Sequence, residues 1–172
     1  QDITDQTVQE GNSLVFTIVA SDPDGDSITY STPLGIPPGA NFNPNTHVFS
    51  WTPDFTQAGD YQVMFRVMDS SAAASRTITI HVLNTNRAPV LTPIGDKTTQ
   101  EGEPLSFTVS ATDPDGDALI FSASNLLFGA QFNAATRTFS WTPPTQGIFH
   151  PIFTVSDGSL TDTEQIDINV LN

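Results

Sequence analysis

An internal duplication is the feature that most constrains what this chain can fold into. Residues 5–31 and 96–122 align without a gap and are identical at more than half of their positions. Further shared blocks are Phe-Ser-Trp-Thr-Pro at 49–53 and 139–143, and Val-Leu-Asn at 82–84 and 170–172. The repeated unit is roughly twice as long as a typical solenoid repeat. The sequence therefore predicts two tandem domains, residues 1–84 and 85–172.

Apolar residues alternate with polar residues along short runs of each copy. In the first copy the apolar positions are Leu14, Phe16, Ile18 and Ala20, then Tyr61, Val63, Phe65 and Val67, then Ile78, Ile80 and Val82. A period of two residues, interrupted by clusters of Pro, Gly, Asn and Asp, indicates half-buried strands. The predicted fold class is all-β, with two tandem immunoglobulin-like Greek-key β-sandwiches of about seven strands each.

Three residues within the predicted strands are notable. Trp51 and Trp141 lie on the fifth strand of each copy, where we expect core anchors rather than rings that stack on a ligand. Pro151 falls inside the sixth strand of the second copy, where its missing N–H removes a ladder bond. We expect a bulge or a local break of the strand there.

Charge and composition exclude several classes of function. Nineteen acidic and five basic residues give a net charge of −14, which disfavours nucleic-acid binding and attracts cations. The chain contains no cysteine and no long apolar run, so neither a disulfide framework nor direct membrane insertion is expected. The histidines, His47, His81 and His150, are scattered and belong to no catalytic motif, so we expect no enzyme activity.

Each copy carries one acidic loop, Asp-Pro-Asp-Gly-Asp, between its second and third predicted strands. The carboxylates are Asp22, Asp24 and Asp26 in the first copy and Asp113, Asp115 and Asp117 in the second. Hard oxygen ligands in a turn that contains glycine suit Ca²⁺. The same residue types are also common in solvated turns, so the motif alone leaves both interpretations open.

Greek-key topology predicts which other polar residues lie near these loops. The loop between strands six and seven, with Asp69 or Asp157, lies at the same pole as the acidic loop of its domain. Glu10 and two further acids, Asp54 and Asp60, lie at the opposite pole of the first copy. End-to-end stacking would bring that pole and the connector, residues 84–89, against the acidic loop of the second copy.

Four motifs together carry a family resemblance. They are the connector Asn-x-Asn-Arg-Ala-Pro, the turn Gln-Glu-Gly, the loop Asp-Pro-Asp-Gly-Asp and the strand Ser-Trp-Thr-Pro. In this combination they resemble cadherin-like domains of the dystroglycan type, also described as immunoglobulin-like domains of bacterial surface and secreted proteins. The match covers nearly the whole chain, twice. It implies cadherin-like sandwiches and an extracellular localisation, either secreted or at the cell surface.

The resemblance also implies a cofactor, Ca²⁺, held in an interdomain site with the connector as its calcium-binding linker. Residue by residue, the implied ligands are Glu10, Asp54, Asn84, Asn86, Asp113, Asp115, Asp117 and Asp157. The connector has Asn where cadherins favour Asp and is shorter, which implies one or two ions rather than three, and weaker binding. A second set at the N-terminal end is incomplete, with Asp2 the nearest substitute ligand; it comprises Asp22, Asp24, Asp26 and Asp69.

The expected function is that of a non-catalytic extracellular calcium-binding module, which rigidifies a multidomain surface or secreted protein and supports adhesion or spacing. Its expected partners are neighbouring domains of a longer array, and a cell-surface protein or polysaccharide ligand. The alternative is a calcium-dependent polysaccharide-binding module attached to a carbohydrate-active enzyme. Phe55 and Phe128 are the loop aromatics that could serve this alternative, although the sequence shows no clear row of exposed rings.

Overall fold

The computed structural model describes residues 3–172, which form strands joined by turns and loops. The chain divides into two compact units, of which the first ends at Thr85 and the second comprises Asn86–Asn172. Within the described residues, no helix is long and apolar enough to cross a membrane. Asp2, considered above as a substitute ligand, lies outside the described residues.

Over residues 3–85, the first unit is a seven-stranded sandwich. One sheet has the strand order β1-β7-β6-β3 and the other has the order β2-β5-β4. Strand β1 runs parallel to β7, and the other pairs are antiparallel. The strands are β1 (Gln6–Gln9), β2 (Leu14–Thr17), β3 (Thr29–Ser31), β4 (Asn41–Asn43), β5 (Val48–Trp51), β6 (Gly59–Met68) and β7 (Ala73–Leu83).

The second unit repeats this plan with more, shorter strands. The order β10-β14-β13 matches β2-β5-β4, and a short pair, β8 with β11, is added. The facing sheet is divided into β12-β16-β17 and β15-β18-β9. The strands are β8 (Val90–Leu91), β9 (Lys97–Gln100), β10 (Leu105–Thr108), β11 (Ala111–Thr112), β12 (Ile120–Ser124), β13 (Gln131–Asn133), β14 (Thr138–Trp141), β15 (Gly147–Phe149), β16 (Ile152–Ser156), β17 (Thr161–Gln165) and β18 (Ile168–Leu171).

The break predicted at Pro151 is present. Strand β15 ends at Phe149 and β16 begins at Ile152, whereas β6 of the first unit is continuous over the same region. Pro151 cannot donate to the ladder, but its carbonyl accepts a hydrogen bond from the N–H of Ile166 at 3.2 Å. The partner strand is interrupted at this point as well, which produces the separate strands β17 and β18.

Each unit has its own apolar core, built from the inward residues of the alternating runs. Trp51 and Trp141 are almost fully buried, and their indole N–H groups donate to the carbonyls of Pro38 and Phe128. Both tryptophans therefore act as core anchors and are not available to stack on a ligand. The predicted all-β fold with two Greek-key sandwiches is confirmed.

Candidate metal centre

The acidic loop of the second unit joins β11 to β12 and folds around Asp113. One oxygen of this residue, Oδ1, accepts hydrogen bonds from the N–H groups of Asp115 at 2.8 Å and Asp117 at 3.2 Å. The loop is closed by a bond from the N–H of Gly116 to the carbonyl of Asp113. As a result, carboxylate oxygens of Asp113, Asp115 and Asp117, the second-unit cluster, lie within 4.8 Å of one another.

The other oxygen of Asp113 is the most informative atom of this cluster. Oδ2 is buried and has no hydrogen-bond partner among the described residues. A buried carboxylate oxygen without a partner is costly, because it has lost water and gained no hydrogen bond in exchange. A bound cation would satisfy this oxygen and reduce the repulsion among the three carboxylates. The residues present therefore fit a hard divalent cation such as Ca²⁺.

Asp157, in the loop between β16 and β17, adds a further carboxylate on the same side of the unit. Its Oδ1 accepts bonds from the N–H groups of Ser159 and Leu160, both at 2.6 Å. Its Oδ2 accepts a bond from the side-chain amide of Asn86 at 2.8 Å. The bonds from Leu160, Asn86 and Ser159 lower the pKa of Asp157, because they stabilise the charged form. This carboxylate is therefore ionised at neutral pH.

Asp115 is held by Arg87 of the connector. Arg87 donates from its backbone N to Oδ2 at 2.6 Å, from Nε to Oδ1 at 2.8 Å and from Nη2 to Oδ1 at 2.6 Å. Nη2 also donates to the carbonyl of Pro114 at 2.7 Å. The Arg87 side chain is the main cause of a lowered pKa at Asp115, and the Arg87 backbone N–H adds to it.

The first unit has a comparable cluster with a different membership. Carboxylate oxygens of Asp22, Asp26 and Asp69 lie within 4.8 Å of one another, and Asp24 is exposed outside this group. Asp22 Oδ1 accepts bonds from the N–H groups of Asp24 and Asp26, as Asp113 does in its own loop. The N–H groups of Ala72 and Ser71 lower the pKa of Asp69, again by stabilising the charged form.

The opposite pole of the first unit is organised around Glu10. This carboxylate is buried, with 3% of its surface exposed. Oε1 accepts a bond from the N–H of Gln57 at 3.0 Å, and Oε2 accepts one from the N–H of Thr85 at 3.1 Å. Gly11 has φ +77°, and a side chain there would also meet the ring of Phe55, so only glycine suits this turn. Glu10 thus fixes both a loop and the start of the connector.

The other predicted ligands at this pole of the first unit are more exposed to solvent than Glu10. Asp54 is exposed, and its Oδ1 accepts bonds from the hydroxyl and N–H of Thr56, which lower its pKa in that order of importance. Asn84 is exposed. Asp60 lies on β6 and pairs with His81 at 2.7 Å, so it is already engaged. The structure therefore gathers Asn86, Asp113, Asp115, Asp117 and Asp157 on one side of the second unit, and Asp22, Asp26 and Asp69 in the first.

The sequence did not reveal the roles of Arg87, or of the acids Asp162 and Glu164. Asp162 accepts a bond from the N–H of Leu91, while Glu164 accepts bonds from the N–H groups of Ile94 and Gly95. These two acids anchor the first residues of the second unit. The one available signal for Arg87 was its position as a rare basic residue in a connector otherwise made of polar and small residues.

Comparison with known proteins decides the family. The model of the family described as "Putative Ig domain" matches residues 1–83 and 88–171. The chain belongs to this family. The Putative Ig domain match falls once on each unit, and it confirms the resemblance to tandem immunoglobulin-like domains inferred from the motifs.

Two curated relatives place similar segments within much longer proteins. Chitinase A of Pseudoalteromonas piscicida is 34% identical over 120 residues, which cover 68% of this chain and 14% of the chitinase. The serine-rich adhesin for platelets of Staphylococcus aureus (strain N315) is 27% identical over 147 residues, which cover 84% of this chain and 6% of the adhesin. This Putative Ig domain pair thus spans only a small fraction of the relatives that it matches.

Among solved structures, the EC1-2 fragment of human protocadherin-24 superposes with a TM-score of 0.58. The match covers 97% of this chain and 95% of the fragment, at 16% sequence identity. This likeness establishes a shared cadherin-like fold.

Proposed function

We propose that the chain is a non-catalytic, extracellular calcium-binding module of a larger surface or secreted protein, where it supports adhesion or spacing. The observation that carries the proposal is Oδ2 of Asp113, a member of the second-unit cluster, which is buried and has no hydrogen-bond partner within residues 3–172. Similarity to segments of an adhesin and a chitinase supports a role within a larger protein. Its partners would be neighbouring domains and a ligand on a cell surface.

Calcium would be held in the second unit by side-chain oxygens of Asn86, Asp113, Asp115, Asp117 and Asp157. Calcium takes six to eight oxygen ligands, so backbone carbonyls and water would complete the shell. Glu10, Asp54 and Asn84 are proposed as further ligands from the first unit. Each side-chain oxygen of Glu10 accepts one hydrogen bond from the described residues and has a second lone pair for a cation.

The proposed consequence of binding is rigidity. Extracellular calcium modules bind with Kd of about 10⁻⁴–10⁻³ M, so millimolar calcium contributes about 1 kcal/mol by mass action. This energy is enough to favour one conformation of the connector, but it is small beside the energy of folding a domain. Calcium would therefore set the orientation of successive domains and leave their folding largely unaffected.

Calcium titration tests this proposal. With calcium raised from an EDTA-treated state to millimolar levels, we expect saturable heat in calorimetry and a rise in the melting temperature of the second unit by about 4–8 °C, the shift that 1 kcal/mol gives for a domain of this size. Asp113→Asn keeps an oxygen for the loop N–H groups but weakens the ligand, so most of the rise should be lost.

Glu103→Gln is the matched control, because it removes the same charge from an exposed position in the second unit. It should retain the full calcium response, and magnesium should give a weaker one because it favours a rigid octahedral shell. An unchanged melting curve of the unmodified protein between EDTA and calcium would contradict the proposal, as would an Asp113→Asn variant that responds normally.

The second candidate function is polysaccharide binding, favoured by one exposed ring. Phe128 is 93% exposed, and its loop also presents Leu126. Exposed aromatic rings provide apolar surface for sugar faces, and the relation to a segment of a chitinase suggests chitin as the first ligand to try. Phe55 is a weaker candidate, because its ring lies against Gly11.

A pull-down on insoluble chitin and cellulose tests this candidate. If it is correct, the protein should be depleted from solution by one polysaccharide, and Phe128→Ala should lose most of that binding. Phe55→Ala tests the weaker candidate and should lose less of that binding than Phe128→Ala does. Equal retention of Phe128→Ala and unmodified protein would contradict a role for the exposed ring.

A further inference from the structure

Four hydrogen bonds join Arg87 to two neighbouring residues of the acidic loop. Three of them go to Asp115, from the backbone N to Oδ2 and from Nε and Nη2 to Oδ1, and the fourth goes to the carbonyl of Pro114. The side chain of Asp115 is 7% exposed, and that of Arg87 is 32% exposed. Both carboxylate oxygens of Asp115 are thus engaged by a single residue in a largely buried setting.

This arrangement places the positive charge of Arg87 against Asp115, a carboxylate that was expected to bind a metal cation. A guanidinium that donates to a carboxylate from two nitrogens both neutralises its charge and makes directional hydrogen bonds to it. By contrast, Oδ2 of Asp113, in the same cluster, is left without a partner among the described residues. In the second-unit cluster, Asp115 is therefore paired with a positive charge of the chain itself, the guanidinium of Arg87. Oδ2 of Asp113 has no such partner among the described residues.

The first unit shows the same loop without such a contact among residues 3–85. Its turn geometry is equivalent, with Asp22 Oδ1 accepting bonds from the N–H groups two and four residues later. There, however, the central acid, Asp24, is exposed and stays outside the cluster. In the second unit the central acid, Asp115, is drawn into the cluster. The five loop residues are the same in both units, and in the second unit the central acid is the one that Arg87 contacts.

We infer that Arg87 is a built-in cation of the second-unit site, which takes the place of a calcium ion at Asp115 and sets how much calcium this unit binds. The inference rests on the proposed function and extends it to the regulation of the same site. Calcium that recruits Asp115 must first displace the guanidinium, so Arg87 weakens calcium binding. It also holds the loop in its binding conformation when calcium is absent.

Arg87→Met tests the inference, because methionine has a similar length but no charge and no N–H donors. Without calcium, the second unit should melt at a lower temperature than in the unmodified protein. Calcium should restore most of the lost melting temperature, so the calcium-induced rise in melting temperature should be at least twice that of the unmodified protein. Calorimetry should show calcium affinity raised about tenfold or one additional ion bound, since one competing cation has been removed. Arg137→Met, at an exposed position of the same unit, is the charge-matched control and should keep the original calcium shift.

Arg87→Lys provides a second measurement if the methionine variant does not fold. Lysine keeps the charge but loses the planar fork, so the calcium-induced shift should lie between those of the unmodified protein and Arg87→Met. An unchanged shift in Arg87→Met, or in Arg87→Lys where that variant alone folds, would overturn the inference and leave the proposed function intact. A calcium response in either variant but not in the unmodified protein would support the inference and overturn the proposed function. Absence of any response in all proteins would overturn both.

Discussion

Replacement of Phe153 by alanine is expected to lower the free energy of unfolding of the second unit by about 3–5 kcal/mol. Phe153 is fully buried at the centre of an aromatic cluster. Its ring makes edge contacts with Phe107, Phe132 and Phe139 at centroid separations of 5.6–5.7 Å. Removal of the ring takes away its burial and these contacts together, and leaves a cavity whose lining is already close-packed.

Differential scanning calorimetry measures this loss directly. The equivalent variant of the first unit, Phe65→Ala, is the matched control, because Phe65 contacts Phe16, Phe42 and Phe49 in the same arrangement. Each variant should lower the melting transition of its own unit, which also assigns the two transitions for the calcium experiments. A loss below about 0.5 kcal/mol for Phe153→Ala would fall in the range of surface substitutions and contradict the central position of this ring.

Much of the fold could be predicted because the alternation of apolar residues reports directly on which side of a strand is buried. Strand length was less predictable. Strand β2 ends at Thr17, earlier than its apolar pattern suggests, because its partner β5 begins only at Val48. His47, just before β5, has φ +60° and cannot extend the ladder, although its carbonyl still accepts a bond from the N–H of Ile18.

The candidate site was predictable only to the level of its loops. Greek-key topology fixes which loops share a pole, and it correctly placed Asp69 beside the acidic loop of its own unit. Topology does not fix which partner a long side chain selects. The hydrogen bonds from Arg87 to Asp115 and the burial of Glu10 both depend on local packing. A single sequence contains no periodicity or motif from which such packing can be predicted.

Replacement of Glu10 by alanine should lower the free energy of unfolding of the first unit by roughly 1–3 kcal/mol, because two N–H groups lose a buried acceptor and only that of Gln57 keeps a second one, the Asp54 carbonyl. These groups belong to Gln57 and Thr85, so the variant should loosen a loop and the start of the connector together. Faster hydrogen exchange at both amides, measured by NMR, would locate the damage. Glu101→Ala is the matched control, because Glu101 occupies the equivalent position of the Gln-Glu-Gly turn in the second unit but is exposed. This variant should change the free energy of unfolding by less than about 0.5 kcal/mol. Equal effects of the two variants would show that burial of Glu10 adds nothing to the stability of the first unit. A loss confined to Glu10→Ala would show that the acid proposed as a calcium ligand also supports the connector before any cation binds.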